Sequence, residues 1–334
     1  MSAELLTTST VREHLLRRGI VEDGPVEVSV LAGGVSNIVL AVDAGDRHVV
    51  VKQALERLRV TETWTAPRSR ILHEAAALRA VAALTPDAVP GVLDVDPESM
   101  TLVIERAPLQ WEDWRSVLMR GEADRAVAHR LGDLLAGWHR DTQTCGPGVS
   151  FDDGAETFEA LRIDPFHRAV ARCRPELARA VDDVVARMSA TRRCLVHGDF
   201  SPKNILIAPD GGGLWVIDFE VVHRGDPTFD LAFLLAHLHL KAINVPQAAH
   251  RYDAAAAAFL AAYRETGLPE RWEDERYLLA QVGCLLLARV LGKSPAGYLD
   301  ATGRTRAQEF GRALLLGEIG SLDEAAERRD GSLV

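Results

Sequence analysis

The run Leu195-Val-His-Gly-Asp-Phe-Ser-Pro-Lys-Asn-Ile-Leu-Ile207, followed by Leu214-Trp-Val-Ile-Asp-Phe-Glu220, decides how the rest of the chain is read. An apolar stretch enters His197-x-Asp199, Asn204 follows five residues on, and a second apolar stretch ends on Asp218. Between them lies Pro209-Asp-Gly-Gly-Gly213, whose glycines tolerate positive φ, so Ile205 to Ala208 and Leu214 to Ile217 read as a short antiparallel hairpin. The start of one strand then lies beside the end of the other. Asn204 and Asp218 share the open end of the hairpin, with Asp199 on the loop just before it.

Phosphoryl transfer is the chemistry that needs this arrangement. It calls for Mg²⁺ to screen nucleotide phosphates and for a carboxylate to accept the acceptor's proton and orient it in line. Mg²⁺ takes hard oxygen ligands and keeps several waters, so the side-chain oxygens of Asn204 and Asp218 suffice beside the phosphates. Asp199 is left as the base. The pattern H-x-D-x-x-x-x-N with a later strand-ending D-F is that of a kinase catalytic loop and metal loop. Taken singly, a lone Asp-Phe, a lone Asn or a His between apolar neighbours reads as ordinary structure; the hairpin makes the joint pattern meaningful.

Upstream, Val11, Leu15, Leu16 and Ile20 give a helix over residues 8 to 19, capped by Ser9 or Thr10. Strands are expected at Val26 to Leu31, Ile38 to Val42 and His48 to Gln53. Between the first two, Ala32-Gly-Gly-Val-Ser-Asn37 offers Gly33 and Gly34 for close backbone approach to a phosphate, with Ser36 and Asn37 as further donors. Lys52 sits in an apolar strand, and Glu74 lies at the edge of the apolar stripe of a helix from about Arg70 to Leu84. Each half-buried charge costs several kcal/mol alone, so Lys52 and Glu74 are expected to pair and to hold the lysine against nucleotide phosphates.

Pro90 to Val95 and Thr101 to Arg106 read as two more strands. Pro108 cannot continue a central strand, and the pattern turns helical at Trp111 to Met119. The boundary is therefore expected near residue 107: a nucleotide-binding part over 1–107, with an N-terminal helix, about five strands and one main helix, and a helical part over 108–334 carrying the catalytic loop and acceptor site. A crevice between two such lobes is a natural ligand site.

Helices are expected over residues 122 to 140, less regularly to Ser189 after an irregular stretch from Cys145 to Ala155, at Leu231 to Lys241, and near 245–266, 273–291 and 302–318. Asp230 heads the Leu231 helix as a cap or as a brace for a neighbouring loop. His237 and His239 lie on opposite sides of that helix, which argues against a metal pair.

At 334 residues the chain suits two lobes, and 47% hydrophobic with 26% charged residues is ordinary for a globular protein. With 38 basic and 48 acidic residues the formal charge is -10, which offers no general pull toward nucleic acid or an anionic membrane and mildly suits a neutral or cationic acceptor. Cys145, Cys173, Cys194 and Cys284 show neither zinc nor disulfide spacing; Cys194 is expected to be a small buried hydrophobe. No signal peptide or membrane-spanning run is read, so a reducing cytoplasm is expected.

Assembled, these residues resemble the aminoglycoside phosphotransferase and choline kinase-like superfamily of small-molecule kinases, from Leu31 to about Leu240 and most strongly from His197 to Asp230. The resemblance implies an α+β, bilobal protein-kinase-like fold with a five-stranded antiparallel-sheet N-lobe and a larger helical C-lobe. It implies Asp199 as catalytic base, Asn204 and Asp218 as Mg²⁺ ligands, Lys52 with Glu74 as phosphate anchor, the backbone of Glu105 and Ala107 against a purine, and His197 and Asp230 as supports of the catalytic loop. ATP or GTP is the implied co-substrate and a small hydroxylated molecule the acceptor. Glu220 and His223 can bind a cationic acceptor or serve structurally. A protein kinase is disfavoured because eleven residues separate Asp218 from Asp230 and no Ala-Pro-Glu follows. A nucleotide-binding pseudokinase with a regulatory role is disfavoured because all five catalytic positions carry competent side chains.

Overall fold

The computed structural model of the protein describes residues 4–31, 36–59, 64–144, 154–266 and 274–331. Its first half is a five-stranded antiparallel sheet, β1 (Glu27–Val30), β2 (Asn37–Ala44), β3 (Arg47–Ala54), β4 (Val92–Asp96) and β5 (Thr101–Glu105), in the order β1-β2-β3-β5-β4. Side-chain alternation along β2 and β3 sorts the two faces. Ile38, Leu40, Val42, Val49 and Val51 pack on one side with Val11 and Leu15 of α1 (Val11–Arg17). Val50 and Ala54, of opposite parity, face Ile71, Ala75 and Leu78 of α2 (Arg70–Leu84) together with Leu102 and Ile104 of β5. Each fully buried large aliphatic side chain here contributes roughly 1.5–3 kcal/mol. Lys52 shares the parity of Val50 and Ala54, so the sheet aims it at α2.

The apolar cluster that includes α2 continues without a break into the helical half. That half contains α3 (Trp114–Met119), α4 (Arg125–Asp141), α5 (Ala155–Phe158), a π-helical segment Glu159–Arg168, α6 (Ala169–Cys173) and α7 (Ala178–Ala190). After the catalytic hairpin come α8 (Thr228–Asn244), α9 (Ala249–Thr266), α10 (Glu275–Leu291), α11 (Ala301–Leu315) and α12 (Leu322–Gly331). The π-helical winding surrounds Pro165, which has no N–H to give an i→i−4 bond. Among the described residues, no helix is long and apolar enough to cross a membrane.

Two differences from the sequence reading have physical causes. The first helix is shorter than residues 8 to 19, because the Thr10 hydroxyl accepts from the Thr7 amide in a preceding turn instead of capping the helix. The helix expected from Trp111 starts at Trp114: Glu112–Asp113 forms a strand, β6, pairing with Leu206 and Ile207, and the Asp113 side chain caps the helix by accepting from Ser116 N at 3.0 Å. Most of the irregular stretch expected from Cys145 to Ala155 lies outside the described residues. Cys194 and Cys284 are buried while Cys173 is exposed.

α4 crosses α9 at Gly132, where an added Cβ would come within 2.2 Å of the Phe259 carbonyl oxygen, whereas a Cβ at Gly137 on the same helix would meet nothing within 4 Å. Gly132→Ala is therefore expected to destabilise the protein by about 1–3 kcal/mol through overpacking. Gly137→Ala is expected to be neutral or to add up to about 1 kcal/mol through helix propensity. Paired thermal melts check this; equal midpoints for the two variants would mean that the close crossing does not exist.

Candidate active site

The expected hairpin forms from β8 (Ile205–Ile207) and β9 (Leu214–Val216), antiparallel and joined at one edge by β6. Strand β7 (Cys194–Val196), paired with β10 (His223–Gly225), delivers the chain to His197. Asp230, fully buried in the first turn of α8, accepts from the backbone amides of His197 at 2.7 Å and Gly198 at 2.9 Å. Of the two roles expected for it, cap or brace, this is the brace. His139 approaches the same carboxylate at 3.4 Å, and its other ring nitrogen meets the Tyr263 hydroxyl at 2.8 Å. Gly198 turns with φ +74°, and a Cβ there would lie 2.8 Å from the Val221 carbonyl oxygen, so only glycine allows this corner.

The His197 ring links the two halves of the site. Its Nδ1 accepts from the Asp199 amide at 3.1 Å, which leaves Nε2 to donate to the Ile217 carbonyl at 3.2 Å. One neutral imidazole thus fixes the residue next to Asp218 relative to Asp199. Burial lowers the His197 pKa, against the pull of Asp230 and Asp199, and favours that neutral form. Phe219 packs on the ring at 4.4 Å.

Asp199 is buried, with its partners gathered on one oxygen. Oδ2 receives the Asn204 amide at 2.8 Å, the Arg162 guanidinium at 2.9 Å and the Lys203 ammonium at 2.9 Å. Oδ1 has no partner among the described residues. Burial alone would raise the Asp199 pKa, but Arg162 and Lys203 outweigh it, and the net direction is down. The group is an ionised carboxylate with one oxygen open, which is what a proton acceptor requires. Arg162 is itself held by donating from Nε to Gly198 O at 2.7 Å and by lying over the rings of Phe166 and Phe233.

Lys52 meets Glu74 at 2.5 Å, as the strand and helix parity required, and it also reaches Asp218 at 2.6 Å. Burial works against the ammonium, but Asp218 and Glu74 overcome it, so Lys52 stays charged. Burial drives Glu74 up and Lys52 opposes it; desolvation would also raise Asp218, which is half-buried, but Lys52 and Lys203 bring it below the usual carboxylate range. Asp218 has φ 71°, a left-handed backbone that costs a non-glycine residue about 1–3 kcal/mol and is typical of functional corners. Asn204 turns its amide nitrogen to Asp199, which leaves its oxygen for other ligands. Asn204 Oδ1 and Asp218 Oδ2 are therefore uncommitted hard donors at one end of the hairpin, a set that fits Mg²⁺.

Other expected site residues go elsewhere. Glu220 is held by protein groups: its Oε1 accepts from Ser36 Oγ at 2.7 Å, and Oε2 accepts from Asn37 Nδ2 at 3.0 Å and Arg70 Nε at 3.2 Å. His223 is buried and stacked on Phe158 at 3.9 Å, with Nδ1 beside the Val221 carbonyl. Acceptor binding and a structural role were both open to these residues, and these contacts are of the structural kind. Ser36 and Asn37 thus meet the metal loop; Gly33 and Gly34 lie outside the described residues. At the sheet exit, the Glu105 amide is engaged by Gly91 O at 2.9 Å, while Ala107 makes no backbone hydrogen bond among the described residues. His237 packs on Phe233, whereas His239 faces Phe310 and Arg329.

Sequence reasoning missed two arginines. Arg70, fully buried at the start of α2, joins Glu220 and donates to the carbonyls of Ser36, Leu55 and Pro67. Arg162 lies in a segment whose helical periodicity is blurred by its π winding. Neither position carries a local motif; Arg162 lies between Leu161 and Ile163, which was its only signal, and Arg70, after Arg68 and Ser69, had none.

Residues 27–276 match the phosphotransferase enzyme family. A methylthioribose kinase of Bacillus cereus is 27% identical over 266 residues, covering 72% of this chain and 67% of that protein. The solved choline kinase LicA from Streptococcus pneumoniae has the same fold, with a TM-score of 0.54 at 16% identity over 92% of this chain and 99% of that one. So has an amicoumacin kinase solved with AMP-PNP and Ca²⁺, with a TM-score of 0.56 at 14% identity over 95% and 97% of the two chains.

Removing the guanidinium from the Arg70–Glu220 pair leaves a buried carboxylate uncompensated. Arg70→Met is expected to destabilise the protein by about 3–5 kcal/mol, with part of the loss recovered when Glu220→Gln is added. Denaturant unfolding of the two single variants and the double variant measures the coupling; strictly additive losses would mean that the pair does not tie α2 to the metal loop.

Proposed function

The chain belongs to the phosphotransferase enzyme family, and from that premise we propose that it moves the γ-phosphoryl group of Mg·ATP to a hydroxyl of a small molecule. One observation carries the reading: an ionised Asp199 with a single open oxygen lies on the loop that His197 ties to Asp218, the residue that reaches Lys52.

Lys52, oriented by Glu74, supplies a fixed positive charge for the nucleotide phosphates. Asn204 and Asp218 would hold Mg²⁺, which when bound screens those phosphates and the charge that builds on the leaving oxygen. Asp199 orients the acceptor hydroxyl through Oδ1. As the hydroxyl oxygen bonds to the γ-phosphorus, its proton passes to Asp199 and the bond to the β–γ bridging oxygen breaks, with its electron pair leaving on ADP. Arg162 and Lys203 keep Asp199 ionised beforehand and hold its other oxygen still. Ala107, with its backbone groups unengaged at the sheet exit, is the position for the nucleotide base. The cytoplasm, where nucleoside triphosphates are abundant, is the compartment this reading expects.

Asp199→Asn is expected to lower kcat by about 10²–10⁴-fold while Mg·ATP still binds; a loss below tenfold in ADP-release assays would remove Asp199 from the base role. Lys52→Ala is expected to weaken Mg·ATP affinity by roughly tenfold or more, the effect of losing a charge-assisted contact. A nucleotide titration that matches wild type would show that Lys52 does not touch the phosphates.

A further inference from the structure

Basic side chains collect on the helical elements around Asp199, and two of them lack an acidic partner. Lys241 on α8 is fully buried; its ammonium donates to the Tyr298 hydroxyl at 2.8 Å and lies 4.0 Å from that ring, and no carboxylate pairs with it among the described residues. Arg289 on the packed neighbour α10 donates from Nη1 to the carbonyl and hydroxyl of Ser294, but its Nε is buried with no partner. A guanidinium cannot shed its proton, and a buried cation without a counter-charge costs several kcal/mol. Charges placed at such a cost cluster at functional sites.

The two cations belong to the same neighbourhood as the catalytic base. Arg289 is acted on by Asp199 and Arg162, Lys241 by Arg289, and His237 between them by both, with Lys203 and Arg115 adding further positive charge. Asp113 is the one acid that acts appreciably on Lys241, and Asp113 also pairs with Arg115. Desolvation, then Arg289 and Arg115, brings the Lys241 pKa down to about 7, as expected of an ammonium whose surroundings hold too little negative charge.

We propose that Lys241 and the unpartnered Nε edge of Arg289 form an acceptor subsite for an anionic group, so that the molecule phosphorylated at Asp199 is a small hydroxy compound carrying a carboxylate or a phosphate ester. The guanidinium edge offers the parallel donors that such oxygens accept, and the ammonium adds a point charge. The proposal rests on the kinase reading and reverses the weak expectation from net charge: the chain is acidic overall at -10, yet Lys241 and Arg289 leave positive charge unpaired within the helical half.

The test is calorimetric titration of the full chain saturated with Mg·AMP-PNP, so that nucleotide phosphates already fill their own site. The probes are short hydroxy acids, polyol phosphates of matched length, and the corresponding uncharged polyols. Wild type is expected to bind one anionic set at least roughly tenfold more tightly than the polyols, about 1.4 kcal/mol, and Lys241→Met and Arg289→Met each to erase that preference. Binding of the hydroxy acids alone identifies a carboxylate, and of the polyol phosphates alone a phosphate ester. Lys241 gives a second readout. Its folded pKa lies below its unfolded one, so its penalty is full below about pH 7 and fades as pH rises toward the ordinary lysine value. Lys241→Met should therefore melt no lower than wild type at pH 6, with any advantage vanishing near pH 10. An absent preference in wild type, or one that survives both substitutions, overturns the subsite and leaves the kinase reading standing. Failure of Mg·AMP-PNP to bind would sink the kinase reading itself.

Discussion

Two backbone amides, those of His197 and Gly198, end on the fully buried carboxylate of Asp230, and the geometry of the site depends on that contact. Buried N–H groups must find acceptors, and a charged acceptor inside the protein makes the contact strong and expensive to break. With the loop pinned there, the Gly198 corner and the His197 ring fix where Asp199 points and how far it lies from the Asp218 segment. Asp199, the proposed base, is therefore aimed by a carboxylate on a different helix.

A second constraint joins the two halves of the molecule. Glu220, two residues past Asp218, is gripped by Ser36, Asn37 and Arg70, while Lys52 bridges Glu74 and Asp218. Both contacts run from the sheet half to the Asp218–Glu220 segment, the first buried and the second partly so. Separating the halves would expose or orphan several charges at once, so the sheet, α2 and the metal loop are coupled electrostatically as well as by their shared apolar cluster.

Electrostatics near Asp199 differ from those of the chain as a whole. Net charge is a sum over the surface, and solvent screens its effect within about 10 Å. The potential in a buried recess is set by the few charges that line it. Arg162 and Lys203 come from separate elements to meet Asp199, Arg289 lies close enough to feel its charge, and Asp218 opposes them, so the local balance differs from that of the whole chain.

The sequence by itself determined the hairpin, the strand carrying Lys52, the helix carrying Glu74 and the brace role open to Asp230, because each is written in local periodicity, turn chemistry or fixed motif spacing. The cost of burying two lone charges also pointed to the pairing of Lys52 with Glu74, which the structure contains. Only the tertiary structure decided the roles of Glu220, Arg70, Arg162, Lys241 and Arg289. Each lies far along the chain from its partners, and the energy of a buried charge depends on what three-dimensional packing brings within a few ångströms of it. The strand at Glu112–Asp113 was hidden for the same reason: two residues have no periodicity, and they are a strand only because Leu206 and Ile207 lie beside them.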